Sequence, residues 1–484
     1  MGGALRYRSG WRCAIYIPYD ELPFRYVQAR GGRDSRRISV MSPSKPPIEK
    51  TTRRRFLKQG LAGAAAAGFP WVIPGSALGL DGATAPSNRI TVGFIGMGKM
   101  ARDHLNSFRA DRGVQVLAIA DVETGRREEH ARLTEAFYAD RYGQGSYSGC
   151  DTYGDYRELC ARPDIDGVII ATPNQWHALN AVEAAKNGKD IYLEKPLART
   201  IGEGQAIVRA VRRYDRILQV GSQQRSDTTF HHACELVRNG RIGKVHTVHV
   251  NVGGPPIEDY LPEEPAPEGL DWDGWLGPCP WRPYSSVLCP PADFDGWARW
   301  RDYREYAGGG MTDFGAHHFD IAQWGLGTDH TGPVAVMPPR EGVKEHLVFV
   351  YANGVRMYHG GAGGSGRGAA VEWIGDRGTV RVNRGQYLET EPETLKLEGI
   401  APGEDRLYRS RNHKDNWLDG IRTRKPCICT AEIGHHTANI CHIGNIAYWL
   451  RRPLKWDPDN EVFIDDPEAN RLLNRPMREP WILS

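Results

Sequence analysis

Three residues of this chain have the types and settings needed to move a proton at an alcohol carbon: Lys195, Asp313 and His317. Lys195 lies in Glu194-Lys195-Pro196, directly after the apolar run Asp190–Leu193, which reads as a buried strand. Asp313 and His317 are four residues apart, so a helix would project both from one face. The preceding Gly308-Gly309-Gly310 would form a flexible entry or let a ligand approach closely. A lysine, a carboxylate and an imidazole converging on one pocket are a proton-transfer set suited to interconverting an alcohol and a ketone. Taken alone, His317 could equally be a satisfied core histidine.

A second set of residues predicts what works beside them. Arg89–Ile95 alternates and is rich in β-branched residues, and Gly96-Met97-Gly98-Lys99-Met100-Ala101 follows as G-x-G-x-x-A before a helical segment. One glycine permits a tight turn, the next admits a pyrophosphate, and the small third residue lets helix and strand pack closely. The motif is weak alone, since any buried α/β domain can hold a glycine turn, but its context is specific. A second strand, Val114–Ala120, ends at Asp121, twenty-five residues after Gly96, where a carboxylate can accept ribose hydroxyls and repel a 2′-phosphate. NAD is therefore expected over NADP, with Arg126 and Arg127 close enough to keep NADP open. Further strands end at Thr172-Pro173-Asn174 and at Glu194-Lys195-Pro196, and such ends line the crevice of an open parallel sheet. The expected cofactor contacts are Gly96, Gly98, Lys99, Met100, Asp121, Thr172, Asn174, His177, Glu194, Lys195 and Gln224.

With Glu194-Lys195-Pro196, the glycine loop, Thr172-Pro173-Asn174-x-x-His177 and Gly308–His317 in hand, the chain resembles the glucose–fructose oxidoreductase / inositol 2-dehydrogenase (Gfo/Idh/MocA) family. The likeness runs from about Asn88 to about residue 455. It implies that Lys195 positions a sugar hydroxyl and the nicotinamide, that His317 takes the hydroxyl proton, and that Asp313 assists binding or relay. The expected fold is α/β: an N-terminal Rossmann dinucleotide-binding domain (88–213) and a C-terminal α+β domain with an open, largely antiparallel sheet (214–455). An extended arm (456–484) would follow, reaching over the surface or a partner subunit of a homo-oligomer, a dimer or tetramer.

Within 214–455, Gly221–Arg225 follows the strand Ile217–Val220 and is expected on the cleft rim. His246-Thr247-Val248-His249-Val250 alternates as a strand, with its histidines expected to share one face rather than bind metal. Residues 253–300 hold Trp272, Trp275, Trp281, Trp297 and Trp300, whose ring faces suit sugars but also suit packing a long loop. One or two of them are expected at the substrate. Glu432–Arg451 has helical periodicity and carries His435, His436, Cys441 and His442, whose spacing matches no usual zinc arrangement. No metal site is expected.

Composition bounds the rest. Sixty-two Lys and Arg nearly balance 59 Asp and Glu, so the concentrated basic surface that nucleic acid requires is not predicted. Residues 1–87 read as a leader. Thr52-Arg53-Arg54-Arg55-Phe56-Leu57-Lys58 fits the twin-arginine pattern, followed by a small-residue apolar stretch too short for a span of about 20 residues. A basic amphipathic first helix is the competing reading. Because a complete leader begins at Met41, residues 1–40 are expected to be a gene-start artefact and 41–85 the signal, with export to the periplasm or cell envelope and no stable span afterwards. The nine cysteines form no C-x-x-C pair, and Cys427 and Cys429 would face opposite sides of a strand, so mostly free or buried thiols are expected.

Away from any soluble NAD pool, the nicotinamide would have to stay bound and be recycled. Coupled oxidation and reduction of two sugars would do this, as would a transient keto-sugar that labilises a glycosidic bond. A non-catalytic sugar-binding protein is the remaining alternative, against which Lys195, Asp313 and His317 argue.

Overall fold

The computed structural model describes residues 86–143, 147, 149–340, 346–364 and 368–483; the expectations on residues 1–85 lie outside the described residues. The first sheet is built from β1 (Ile90–Ile95), α1 (Lys99–Ala110), β2 (Val114–Ala120), α2 (Thr124–Tyr142), β3 (Asp151–Tyr153), α3 (Tyr156–Cys160), β4 (Gly167–Ile170), α4 (His177–Lys186), β5 (Asp190–Leu193), α5 (Ile201–Arg213) and β6 (Leu218–Val220). All six strands are parallel, in the order β3-β2-β1-β4-β5-β6. Their apolar character follows from cover on both faces: β4, β5 and β6 are buried at every residue. The strand order reverses beside β1, which is where a doubly wound sheet opens its ligand crevice. A domain end at residue 213 is too early, because β6 completes this sheet.

The second half begins with α6 (Thr228–Arg238) and β7 (Val245–Val250), then runs through a long segment containing α7 (Trp272–Leu276). There follow α8 (Gly310–Asp313), α9 (Gly315–Leu326), β8 (Ala335–Met337), β9 (Val348–Val350), β10 (Arg356–His359), β11 (Val371–Gly375), β12 (Gly378–Asn383) and β13 (Tyr387–Glu391). After these come α10 (His413–Thr423), α11 (Ala431–Leu450), β14 (Leu454–Asp457), β15 (Val462–Phe463) and α12 (Pro467–Arg471). The sheet has nine strands, β13-β12-β11-β7-β10-β9-β8-β14-β15, antiparallel except for β7 beside β10. Helices α6, α9 and α11 bury Phe230, Phe319 and Ile443 against Val248, Met357 and Trp373 of the strands.

Three expectations change here. The segment after residue 455 is no free arm, because β14 and β15 form the edge of the second sheet. His246 and His249 lie three positions apart in β7 and therefore on opposite faces; His246 is exposed and His249 stacks on Tyr358 at 5.0 Å. Cys427 and Cys429 are not in a strand, although Cys429 accepts a backbone hydrogen bond from Val220. They do face opposite sides, Cys427 toward Phe108 and Trp417 and Cys429 toward Leu193 and Val220. All eight described cysteines are buried and free.

The halves are interleaved as well as adjacent. Helix α10 returns to the first sheet, where Trp417 is fully buried and meets Phe108 edge-on at 5.6 Å and Tyr192 at 5.9 Å. Three buried histidines bond backbone carbonyls: His413 to Val220 and His442 to Ala198 across the halves, and His318 to Asn251 within the second half. Burial drives all three below the usual histidine value of 6.5, to about 4, about 3 and about 4 respectively.

Two outcomes follow. Trp417→Ala empties a large buried volume and should lower unfolding free energy by about 3–5 kcal/mol in a denaturant titration; near-wild-type stability would mean that α10 does not close the first core. The histidines are neutral when folded but bind protons near pH 6.5 when unfolded. Their stabilisation is thus complete above pH 6.5 and lost as pH falls toward 4. The urea midpoint should accordingly be lower at pH 5.5 than at pH 7.5, whereas an equal or higher midpoint at pH 5.5 would oppose the assignment.

Candidate functional site

Beyond the carboxyl ends of β1, β2 and β4 lies a cavity of about 330 Å³, within the range of small-molecule sites. Gly96, Met97, Gly98, Lys99 and Met100 form its floor, with Asp121 and Thr172 at the sides. Gly96 has φ +84°, and a Cβ there would sit 2.9 Å from the Thr172 side chain, so the turn requires glycine. Lys99 and Met100 open α1, which points a helix N-terminus and its unpaired N–H groups at the cavity. A glycine turn, a helix N-terminus and a carboxylate at the end of β2 fit a pyrophosphate and an adenosine ribose.

Asp121 is more constrained than an open ribose acceptor. Its Oδ2 accepts the Met97 N–H at 2.6 Å and its Oδ1 the Glu123 N–H at 2.9 Å, so it also shapes the glycine loop. Burial raises its pKa, against the opposing pull of Arg126 and those two amides. Each oxygen keeps a lone pair for a hydroxyl. The neighbouring arginines are engaged elsewhere: Arg126 donates to the carbonyls of Pro290 and Pro291, and Arg127 to that of Asp121.

The roof comes from the second half of the chain. Trp275, Phe294, Trp297, Trp300 and Arg301 line the cavity from above. Asp295 is held by Lys99, whose Nζ donates to its carbonyl, and by Arg102 at 3.2 Å. The tryptophan-rich segment is largely its own core: Trp272 and Trp275 stack at 4.8 Å and pack with Tyr284, Leu288 and Tyr306, while Trp281 is exposed. Its aromatic content therefore serves loop packing and cavity roofing together.

At the end of β5 the two halves meet over the chemistry. Lys195 Nζ donates to Asp313 Oδ1 at 2.5 Å and to the Asp313 carbonyl at 3.0 Å. Burial would raise the Asp313 pKa, but Lys195, Arg301 and Arg384 hold it below the usual carboxylate value. His317 is buried, and its Nδ1 meets no hydrogen-bond partner. Burial, then the charges of Lys195 and Arg384, push its pKa well below 6.5, so the ring is neutral. Asp313 and His317 fall in two consecutive helices, α8 and α9, joined at Phe314, whose backbone stays in the right-handed helical region. The glycines ahead of them admit the protein's own backbone rather than a ligand. A Cβ on Gly310 would lie 2.5 Å from the Gly253 Cα, and Gly309 has φ +68°.

The remaining expected contacts divide. Glu194 is buried, accepting from Gln223 Nε2 at 2.8 Å and paired with His104 Nε2 at 2.8 Å. Burial would raise its pKa, and His104, Lys195 and Gln223 together bring it below the usual value. It braces the Lys195 loop. His177, expected at the cofactor, is instead fully buried, with its ring nitrogens within hydrogen-bond distance of the carbonyls of Pro196 and Thr172, one of which accepts its single N–H. It sits between the loops after β4 and β5, and both nitrogens face protein carbonyls rather than a ligand. Asn174 is buried outside the cavity lining. Gln224, with its amide oriented to satisfy its neighbours, donates to the His317 carbonyl at 3.1 Å and accepts from Arg384 Nε at 2.8 Å. That places it beside the proton-transfer group rather than on the cavity floor.

Sequence reasoning missed Arg301 and Arg384. Arg301 lies over the Trp300 ring at 4.3 Å and 3.9 Å from Asp313 Oδ1; Arg384, in the β12–β13 turn, lies over Phe314 at 4.9 Å. No periodicity or spacing marks either residue. The histidines of α11 are accounted for by protein partners: His435 pairs with Glu461, His436 with the Asp329 carbonyl and His442 with the Ala198 carbonyl.

Comparison with known proteins agrees with this geometry. The family description "Oxidoreductase family, NAD-binding Rossmann fold" matches residues 90–222, and "Oxidoreductase family, C-terminal alpha/beta domain" matches residues 256–483. Inositol 2-dehydrogenase 2 of Saccharopolyspora erythraea is 26% identical over 395 residues, covering 77% of this chain and 98% of that protein. Uncharacterized oxidoreductase YrbE of Bacillus subtilis is 30% identical, the match spanning 36% of this chain and 48% of that protein. Alpha-N-acetylgalactosaminidase of Shewanella oneidensis is 35% identical over 32% of this chain and 36% of its own length. The match thus spans half or less of the last two relatives. Among solved structures, aldose-aldose oxidoreductase from Caulobacter crescentus, complexed with glycerol, superposes with a TM-score of 0.52 at 18% identity, over 76% of this chain and 99% of that one. The WlbA dehydrogenase of Chromobacterium violaceum, in complex with NADH and UDP-GlcNAcA, gives 0.51 at 18%, over 78% and 98%. With both domain descriptions matched in order across the described fold, this chain belongs to the Gfo/Idh/MocA oxidoreductase family and carries its NAD-binding Rossmann domain.

Proposed function

We propose that the protein oxidises a secondary hydroxyl of a sugar or sugar derivative, reversibly and with NAD, in the cleft where Lys195 meets Asp313. The observation that carries this reading is the Lys195–Asp313 contact of 2.5 Å between the end of β5 and α8, beside a neutral, buried His317. When bound at the glycine loop, NAD supplies the acceptor for the hydride of the carbinol carbon. The protein's own groups handle the proton and the alignment. The Lys195 ammonium, fixed by the Asp313 carboxylate and carbonyl, has a third N–H for the substrate oxygen. A ring nitrogen of His317 takes the hydroxyl proton as the carbonyl forms, and returns it in the reverse direction. The positive charge of Lys195 favours the alkoxide character that develops on the oxygen. The cyclitol and aldose substrates named for the relatives support a polyhydroxylated substrate. Part of this proposal is that the protein works outside the cytoplasm, after twin-arginine export, with cofactor loaded beforehand and recycled in place.

The partial likeness to a glycosidase favours one second reading, in which the transient ketone acidifies the neighbouring C–H, the glycosidic oxygen leaves by elimination, water adds across the resulting C=C, and the ketone is reduced again. Product analysis separates the two: a stable keto-sugar in the first, a cleaved glycoside with no net redox change in the second.

Lys195→Met and His317→Ala should each lower turnover by at least about 10²-fold while NAD stays bound, because proton transfer and alignment are lost but the phosphate site remains. Cofactor occupancy measured beside the rate separates a chemical defect from an empty site. Near-wild-type turnover in both variants would overturn the assignment. Failure of Lys195→Met alone would keep the cleft and move the proton acceptor to Asp313.

A further inference from the structure

One end of the cofactor cavity is closed by a segment that belongs to neither sheet. Past β3 and β4, the cavity is walled by Tyr156, Arg157, Trp176 and Trp481. Trp481 meets Trp176 edge-on at 4.7 Å, and the Arg157 guanidinium lies over its ring at 5.2 Å. Its indole Nε1 is buried without a hydrogen-bond partner, so packing rather than polar bonding sets the ring's position. What places it there is a pair of arginines. Arg475 Nε donates to buried Glu203 at 2.7 Å and its Nη2 to the Gln175 carbonyl at 3.1 Å. Arg478 grips the other side of the cavity wall, with Asp273 Oδ1 at 2.5 Å and the Gly277 carbonyl at 2.9 Å. These contacts reach α5, the loop before α4 and the α7 region at once.

Asp121 fixes which end of a dinucleotide lies here. In this fold the carboxylate at the end of β2 faces the adenosine ribose, so the base beyond it enters the space between the β3 and β4 loops. A purine offers two π-faces and little charge. Three aromatic rings and a guanidinium are the chemistry that recognises it.

We propose that Trp481, held by Arg475 and Arg478, is the outer wall of the adenine pocket and a latch that slows loss of NAD. The segment closes one end of the cofactor while the Lys99–Asp295 contact closes the roof at the glycine loop. Release then requires the latch to come away from the α7 region, which uncouples cofactor retention from the chemistry at Lys195. This inference rests on the NAD-binding domain and not on the identity of the substrate.

The test is the dissociation rate of NADH from Trp481→Ala, Trp481→Phe and Arg478→Ala, followed by nucleotide fluorescence, with affinities for ADP-ribose and for nicotinamide mononucleotide measured on the same proteins. Stacking on a base is typically lost at a cost of about 5- to 150-fold in affinity. Trp481→Ala should weaken NADH and ADP-ribose by a common factor in that range and leave nicotinamide mononucleotide unchanged. Trp481→Phe should recover most of the loss, and Arg478→Ala should speed NADH release in the same direction. Tighter or unchanged NADH binding in Trp481→Ala would overturn the proposal, the first outcome meaning that the indole occupies the place of the base. Equal weakening of all three ligands would also overturn it, since that marks a general distortion of the cleft.

Discussion

The contact between Lys195 and Asp313 is the constraint on which the candidate chemistry depends. One partner follows a strand of the parallel sheet and the other ends a short helix of the second half, so the contact joins the two halves. A lysine beside a buried imidazole is useful only if its charge is held in register, and a single carboxylate does this from across the cleft. Much of the surrounding structure serves that register. His177 sits between the loops after β4 and β5, Glu194 is itself held by His104 and Gln223, and the close backbone approach of Gly253 to Gly310 sets where α8 begins.

The same geometry explains why the second half wraps the first. A bare Rossmann crevice is open to water along its length. Here Trp275, Trp297 and Trp300 roof it, α10 reinforces the far side of its sheet through Trp417, and Trp481 closes its end. The nine-stranded sheet supplies a stiff base from which these covering segments depart. Its helices bury one face, so the loops between strands can be long without leaving the core unpaired.

What the sequence made legible was local. The glycine loop, the strands around it and Lys195 follow patterns confined to a few residues, and the structure places Gly96, Gly98, Lys99, Met100, Asp121 and Thr172 around one cavity. What it hid was long-range. Nothing near Asp121 announces that its oxygens would bind the Met97 and Glu123 amides, and nothing in 413–430 announces a return to the first sheet. The proline-rich stretch after residue 455 reads as an arm because proline opposes regular structure, yet it supplies two edge strands and a cavity wall. Likewise the four-residue spacing of Asp313 and His317 suggested one helix, whereas they fall in two consecutive helices joined at Phe314. Arg301 and Arg384 are visible only once distant segments are brought together.

The central claim is that this cleft is built to hold NAD across both halves of the chain. The most direct measurement is the identity and amount of dinucleotide released when the purified protein is denatured, read by absorbance and mass. The account predicts NAD(H) rather than NADP(H), at a substantial fraction of one per chain. Protein that carries no dinucleotide, and that takes up neither NAD nor NADP at millimolar concentration, would contradict it.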